Sequence, residues 1–117
     1  MFRKEKAMKK IYLFCSAGMS TSMLASAMQQ AADSHKLPFS VKAFPHGKLD
    51  EIIANDRPDV ILLGPQVKYM LEETEARYGK EGIPIAVIDS GDYGMMNGEK
   101  VLKSAIVLMK KAKKNQA

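Results

Sequence analysis

The fold of this 117-residue chain is decided by residues 11–22, which read IYLFCSAGMSTS. Four apolar residues, enough for a short buried strand, lead into Cys15, and a loop of small and hydroxyl-bearing residues follows. Residues 23–28, MLASAM, have the composition of a helix. A sharp turn from strand to helix exposes backbone N–H groups, which attract anions together with the helix dipole. The stretch therefore predicts a phosphate-binding loop with Cys15 at its rim.

Cys15 is the predicted nucleophile of this loop, because positive potential at a helix N-terminus favours the thiolate. A lone cysteine is more often a buried, unreactive thiol, but Cys-x-x-Gly followed by three hydroxyl residues favours the functional interpretation. Gly18 permits a tight turn, and Ser20 or Thr21 could cap the helix. The predicted phosphate-binding residues are Ser16, Ala17, Gly18, Met19, Ser20, Thr21 and Ser22.

The composition is that of a single domain spanning residues 1–117, with 46% hydrophobic residues for its core. One cysteine cannot form an internal disulfide, and two distant histidines give no metal signature, so we predict no metal and no cofactor. Residues 1–9 carry charge but no apolar signal segment, and we expect them to be disordered. No run approaches the roughly 20 apolar residues of a membrane span, so we expect a cytoplasmic protein.

The formal net charge is +5, with much of the excess at the two ends of the chain. Lysines near the C-terminus complement the dipole of a final helix, although they could also steer the protein toward an acidic partner or an anionic membrane. There is no nucleic-acid-binding motif, and no aromatic residues alternate with the basic ones. We therefore expect no nucleic-acid partner, and a protein that is monomeric by itself.

Strand and helix patterns alternate four times along the chain. Strands are predicted at residues 10–15, 39–44, 60–63 and 84–88, with a loop at residues 89–94 and Asn97 as the cap of the last helix. This alternation is typical of a parallel sheet with helices on both faces. The first and third strands are continuously apolar and belong at the centre, whereas the fourth begins with Pro84, which an edge strand tolerates.

The resulting prediction is a four-stranded flavodoxin-like α/β fold, of the kind also found in low-molecular-weight phosphatases, with strand order 2-1-3-4. Right-handed crossovers place the second and third helices on one face and the first and last on the other. Ligands of such sheets bind beyond the carboxyl ends of the strands, at the switch point between strands one and three. The Cys15 loop, residues 64–66 and residues 89–94 should converge there.

The motif at residues 15–22 resembles that of enzyme IIB in the bacterial sugar phosphotransferase system, in the lactose/cellobiose/chitobiose class. Three further stretches are similar, and the resemblance covers about residues 8–113. These stretches are residues 43–45, residues 62–66, and residues 88–90 together with 93–94. The cysteine loop is the specific signal, because each of the other stretches by itself would be weak.

The resemblance implies a phosphoryl relay. A phosphohistidine of a IIA partner would donate its phosphoryl group to Cys15, which matches the phosphorylated cysteine of the family. The phosphocysteine would pass the group to a sugar, a β-disaccharide or chito-oligosaccharide, held by the membrane permease IIC. The protein would then be cytoplasmic and bound to the inner face of the membrane through IIC.

Two other functions fit the same fold. A low-molecular-weight tyrosine phosphatase has Cys-x5-Arg in this loop, but Thr21 stands at the arginine position here. A flavodoxin-type electron carrier would bind the phosphate of FMN in the loop, with Tyr93 as the candidate to stack on the flavin. Asp92 in the last loop resembles the catalytic acid of such a phosphatase, although a polar turn accounts for it as well. For a phosphoryl relay, the sequence assigns no role to His46, Asp92 or Tyr93.

Overall fold

The computed structural model describes residues 8–16 and 19–116, with the backbone alone at residues 19, 20 and 113–116. Four strands alternate with five α-helices, and short 3-10 segments lie at His46–Lys48, Pro65–Met70 and Gly79–Glu81. The strands are β1 (Lys9–Cys15), β2 (Phe39–Pro45), β3 (Val60–Leu63) and β4 (Ile85–Val87). The helices are α1 (Met19–Ser34), α2 (Leu49–Asn55), α3 (Leu71–Tyr78), α4 (Ser90–Gly94) and α5 (Gly98–Gln116).

The four strands form one parallel sheet in the order β2-β1-β3-β4, which confirms the predicted topology. Leu13 in β1 is paired with Ala43 on one side and with Leu62 on the other. Burial explains the order: every residue of β3 is buried, as are the last five of β1. Strands covered on both faces need apolar residues at every position, so these two take the centre.

Each face of the sheet has its own core. On one face, Ile11, Leu13 and Leu62 pack with residues of α1 and α5, including Leu24 and Leu102. On the other face, side chains of β1 and β3 pack with residues of α2 and of the segment before α3, namely Tyr12, Phe14, Ile61, Leu63, Leu49, Ile53 and Val67. The first and last helices therefore share one face and the middle helices the other, as predicted from right-handed crossovers.

Several element boundaries differ from the sequence prediction. β2 continues to Pro45, and β4 spans Ile85–Val87 rather than residues 84–88, so Pro84 precedes the strand. Residues 1–7 lie outside the described residues, but Lys9, predicted to be disordered, belongs to β1. Its partner is Phe39, and its N–H donates to the carbonyl of Pro38 at 2.9 Å, so pairing with β2 extends the strand. Residues 90–94, predicted as loop, form α4 because the Asp89 carboxylate accepts a hydrogen bond from the N–H of Asp92 at 3.0 Å.

Asn97 caps α5 as predicted, since its side-chain oxygen accepts a hydrogen bond from the N–H of Lys100 at 3.1 Å. Within the described part of the chain, no helix is both long enough and apolar enough to cross a membrane. The carboxyl ends of β1, β3 and β4 lie along one edge of the sheet, which brings Cys15, Gly64 and the residues after Ile88 to that edge. This edge contains the candidate site.

Candidate active site

Cys15 is the last residue of β1 and the chain's single cysteine, with a thiol that is free and 3% exposed. Its position is set by the strand, because the residue is paired with Pro45 of β2. On the β3 side, a Cβ atom built on Gly64 would stand 2.8 Å from the Cβ of Cys15. The thiol therefore lies between two strand ends with its side chain closely confined.

Thr21, in the first turn of α1, contacts Cys15 directly. The residue is 2% exposed, and its hydroxyl donates a hydrogen bond to Cys15 Sγ. The prediction of Thr21 as a helix cap is wrong, because α1 already begins at Met19 and the hydroxyl bonds the sulfur. The side chain of Ser20, the other predicted cap, lies outside the described residues. Thr21 thus supplies a buried donor to the sulfur.

Tyr93 of α4 joins this pair from the other side. Its phenol oxygen lies 2.9 Å from Thr21 Oγ1, although 72 residues separate the two positions. Sequence analysis considered Tyr93 only as a candidate to stack on a flavin and gave it no role beside Cys15. The signal that could have identified this role is its place in the segment after β4, which was expected to converge on the Cys15 loop. The three side chains form a continuous hydrogen-bonded series from α4 through α1 to the end of β1.

His46 lies beside the backbone of the same cysteine. Its Nδ1 is 3.2 Å from the carbonyl oxygen of Cys15, and since a carbonyl only accepts, Nδ1 carries the hydrogen. The ring is partly buried and follows directly after β2, the neighbour of β1. His46 therefore satisfies a carbonyl at the point where the chain leaves the sheet.

The structure describes the remaining predicted loop residues to different extents. Ser16 is an exposed bend after β1, and Ser22 is exposed on α1. Ala17 and Gly18 lie outside the described residues, and Met19 and Ser20 are described only as the first backbone positions of α1. The 16-residue helix α1 has no acidic residue in its first turn. Its partial positive charge therefore acts close to Cys15 without a carboxylate of that turn to oppose it.

The groups that a phosphatase would need are engaged elsewhere. Arg57 binds Glu81 at 2.9 Å, and Arg77 binds Asp50, so the two arginines of the described part of the chain are paired with carboxylates outside the Cys15 loop. The side chain of Asp92, the counterpart of a phosphatase acid, is 14% exposed and lies 3.6 Å from Lys100 Nζ. The described residues thus present a thiol with a neutral hydroxyl donor in place of an arginine clamp.

Comparison with known proteins identifies the family of the chain. The family model described as "PTS system, Lactose/Cellobiose specific IIB subunit" matches residues 10–104. Two relatives from Lactococcus lactis, a galactose-specific and a cellobiose-specific EIIB component, are each 44% identical over 104 residues. Each alignment covers 86% of this chain and 96% of the relative.

A solved structure gives the same result for the fold. The solution structure of a cellobiose-specific phosphotransferase IIB component from Borrelia burgdorferi superposes with a TM-score of 0.74 at 39% identity. The match covers 92% of this chain and 97% of that one. The chain belongs to the lactose/cellobiose-specific IIB family and is a phosphotransferase component of a sugar phosphotransferase system.

Proposed function

We propose that Cys15 is the residue that accepts and donates the phosphoryl group, and that residues 16–22 hold this group. The observation that carries the proposal is the buried thiol at the end of β1, which accepts a hydrogen bond from the Thr21 hydroxyl. A positioned donor and a helix N-terminus stabilise negative charge on sulfur and then on the phosphoryl oxygens. Phosphoryl transfer depends mostly on positioning and electrostatic stabilisation, which these groups provide.

The proposed relay has two steps. Components named IIB act with IIA and IIC components in this system. In the first step the S–P bond forms as the N–P bond of a IIA phosphohistidine breaks, and the thiol proton ends on the released imidazole. In the second step a sugar hydroxyl oxygen takes the phosphoryl group, the S–P bond breaks, and the hydroxyl proton returns to sulfur.

The sugar belongs to the class of β-linked disaccharides or chito-oligosaccharides and is held by IIC. Support comes from the cellobiose-specific name of one relative. Another relative of equal identity is galactose-specific by name, so similarity in IIB leaves the individual sugar open. The protein works at the cytoplasmic face of the membrane through IIC and is monomeric when isolated, which light scattering coupled to gel filtration will measure.

The absence of an arginine clamp suits a relay. A phosphatase intermediate must react with water, whereas a relay intermediate must survive until the next partner arrives. Thr21 offers one neutral donor where a phosphatase has a planar, bidentate cation. We expect little hydrolysis of an aryl phosphate by this protein, and rapid turnover would favour the phosphatase alternative.

The test is phosphoryl transfer from the phosphorylated IIA protein of the same system, followed by intact mass and site mapping. We expect one phosphoryl group on the unmodified chain, located at Cys15. Cys15→Ser should remain folded by circular dichroism and accept none, because an alcohol is far less ionised than a thiol at neutral pH. The matched control is Ser104→Ala, which alters an exposed serine of α5 outside the proposed site and leaves the thiol in place. Phosphorylation of the serine variant at His46 or elsewhere would overturn the proposal.

A further inference from the structure

We propose that Tyr93 is a positioning residue of the relay, which acts on Cys15 through Thr21. Its hydroxyl donates to Thr21 Oγ1 and thereby directs the single Thr21 hydroxyl hydrogen to Cys15 Sγ. The inference rests on the proposed role of Cys15. It assigns a function to the contact between α4 and α1, in which the two oxygens are 2.9 Å apart.

The direction of the two hydrogen bonds follows from the inventory of donors. A thiolate can only accept, and the Thr21 hydroxyl has one hydrogen to give. When that hydrogen points at Sγ, the Thr21 oxygen has only lone pairs to offer to Tyr93. The Tyr93 O–H must then be the donor, and the order runs from Tyr93 through Thr21 to sulfur.

The burial of Thr21 explains why its hydroxyl depends on these two hydrogen-bond partners. Thr21 is 2% exposed, so water has little access to replace a missing partner of its hydroxyl. The Thr21 hydroxyl can rotate about its Cβ–Oγ1 bond, and the hydrogen bond that its oxygen accepts from Tyr93 favours the orientation in which its hydrogen points to the sulfur. Without the Tyr93 hydroxyl, this orientation loses one of its two partners, and the hydrogen bond to the sulfur is weakened.

The same arrangement serves the phosphorylated state. As the S–P bond forms and the N–P bond of the donor breaks, the negative charge moves from sulfur to the phosphoryl oxygens. The Thr21 hydroxyl can follow that charge by turning from Sγ to a phosphoryl oxygen while its own oxygen still accepts from Tyr93. Tyr93 therefore influences the rate of the transfer step rather than the docking of the partner.

If Tyr93 only holds α4 against α1, a different result is expected. Loss of such a structural contact would change the stability of the protein and the position of α4 whether or not Thr21 carries a hydroxyl. A positioning residue has an effect only while the Thr21 hydroxyl is present. A double-mutant cycle separates the two roles.

The experiment uses the full chain and measures the rate of phosphoryl acceptance from phosphorylated IIA as the IIA concentration is varied. We expect Tyr93→Phe to lower the maximal rate about five- to tenfold, which corresponds to the free energy of one hydrogen bond. The IIA concentration that gives half of the maximal rate should be unchanged. Thr21→Val should lower the maximal rate at least as much. Thr21→Ser, which keeps the hydroxyl, should stay near the unmodified rate, and Tyr93→Phe should add nothing to Thr21→Val.

The matched control is Tyr78→Phe, which also removes a hydrogen-bonded tyrosine hydroxyl but from a contact with Asp50 on the opposite face. It should transfer at the unmodified rate. Thermal unfolding checks that each variant is folded. If Thr21→Val is not, Thr21→Ala, which also removes the hydroxyl, replaces it in the double-mutant cycle.

Three results would overturn the inference: a Tyr93→Phe variant with the unmodified maximal rate, a change confined to the half-saturating IIA concentration, or effects of the two substitutions that multiply. Failure of the proposed function is distinguishable from these, because the unmodified protein would then carry no phosphoryl group on Cys15.

Discussion

Gly64 sets how closely the end of β3 approaches the reactive cysteine. Its N–H donates to the carbonyl of Phe14 at 2.8 Å, which fixes its backbone beside β1. A Cβ at this position would lie 2.8 Å from the Cβ of Cys15 and 2.8 Å from Gln66 Oε1. The glutamine end is flexible and can move away, whereas the Cβ of Cys15 is fixed by strand pairing. The Cys15 side chain therefore leaves no room for a side chain at residue 64.

Gly64→Ala should displace the Cys15 side chain and slow phosphoryl acceptance. The expected loss of folding free energy is about 1–3 kcal/mol, the usual cost of overpacking a filled site. Urea denaturation and the rate of transfer from phosphorylated IIA measure the two effects. Gly47→Ala is the matched control, since a Cβ there meets nothing within 4 Å. Unmodified stability and rate in Gly64→Ala would show that the two strand ends are farther apart.

At the scale of the elements, the contact between α1 and α5 depends on the first residue of α5. A Cβ on Gly98 would stand 2.5 Å from the carbonyl carbon of Ala27 and 2.6 Å from the nitrogen of Met28. Both are backbone atoms inside α1, so they cannot move independently of that helix. The start of α5 thus lies directly against the α1 backbone, which brings α4 and its Tyr93 close to Thr21.

Gly98→Ala should destabilise the fold by about 1–3 kcal/mol, because the two helices must separate to admit the methyl group. This cost exceeds the roughly 1 kcal/mol by which alanine is the better helix former. The change in the urea unfolding midpoint checks the prediction. Gly94→Ala is the matched control, with no atom within 4 Å of its added Cβ. Equal midpoints for the two variants would contradict such close packing.

At the scale of the whole molecule, two carboxylates connect segments that are far apart in the sequence. The hydrogen bond from Lys10 and a second from Tyr12 hold the pKa of Asp56 below its ordinary value. The hydrogen bond from Tyr78 and the adjoining Arg77 likewise lower the pKa of Asp50, which connects α2 with α3. Burial, followed by the bond to Asp56, raises the pKa of Tyr12. Because protonation of these carboxylates removes their interactions, we expect the free energy of unfolding to decrease in acid.

The direction of the pH dependence follows from the lowered pKa of Asp56. Its stabilising effect is complete above the unfolded value of about 3.9 and is lost as the pH falls through the lower, folded value. Asp56→Asn should reduce stability at neutral pH and flatten the decline below about pH 4. Thermal unfolding from about pH 7 down to about pH 2 tests this. Glu72→Gln, exposed on α3, is the control, and a decline in Asp56→Asn as steep as in the unmodified chain would refute the assignment.

The fold could be predicted from the sequence because its determinants are local. Continuous apolar runs in β1 and β3 report burial on both faces, and alternation with helices implies a parallel sheet. The right-handed twist of the strands then makes the crossovers right-handed, which determines the face on which each helix lies. The candidate nucleophile could be predicted for the same reason, since Cys15 and the start of α1 are close in sequence.

The surroundings of the cysteine were decided only by the tertiary structure. Tyr93 reaches Thr21 across 72 residues, His46 reaches the Cys15 carbonyl across 31, and Gly64 confines the thiol from a third strand. Such contacts depend on how strand ends align and how closely helices pack, and no local pattern encodes these distances. Even for Thr21, near Cys15 in sequence, two roles were predicted, as a phosphate-binding residue and as a helix cap, and neither includes a contact with the thiol. Burial in the packed site directs its hydroxyl to the sulfur instead.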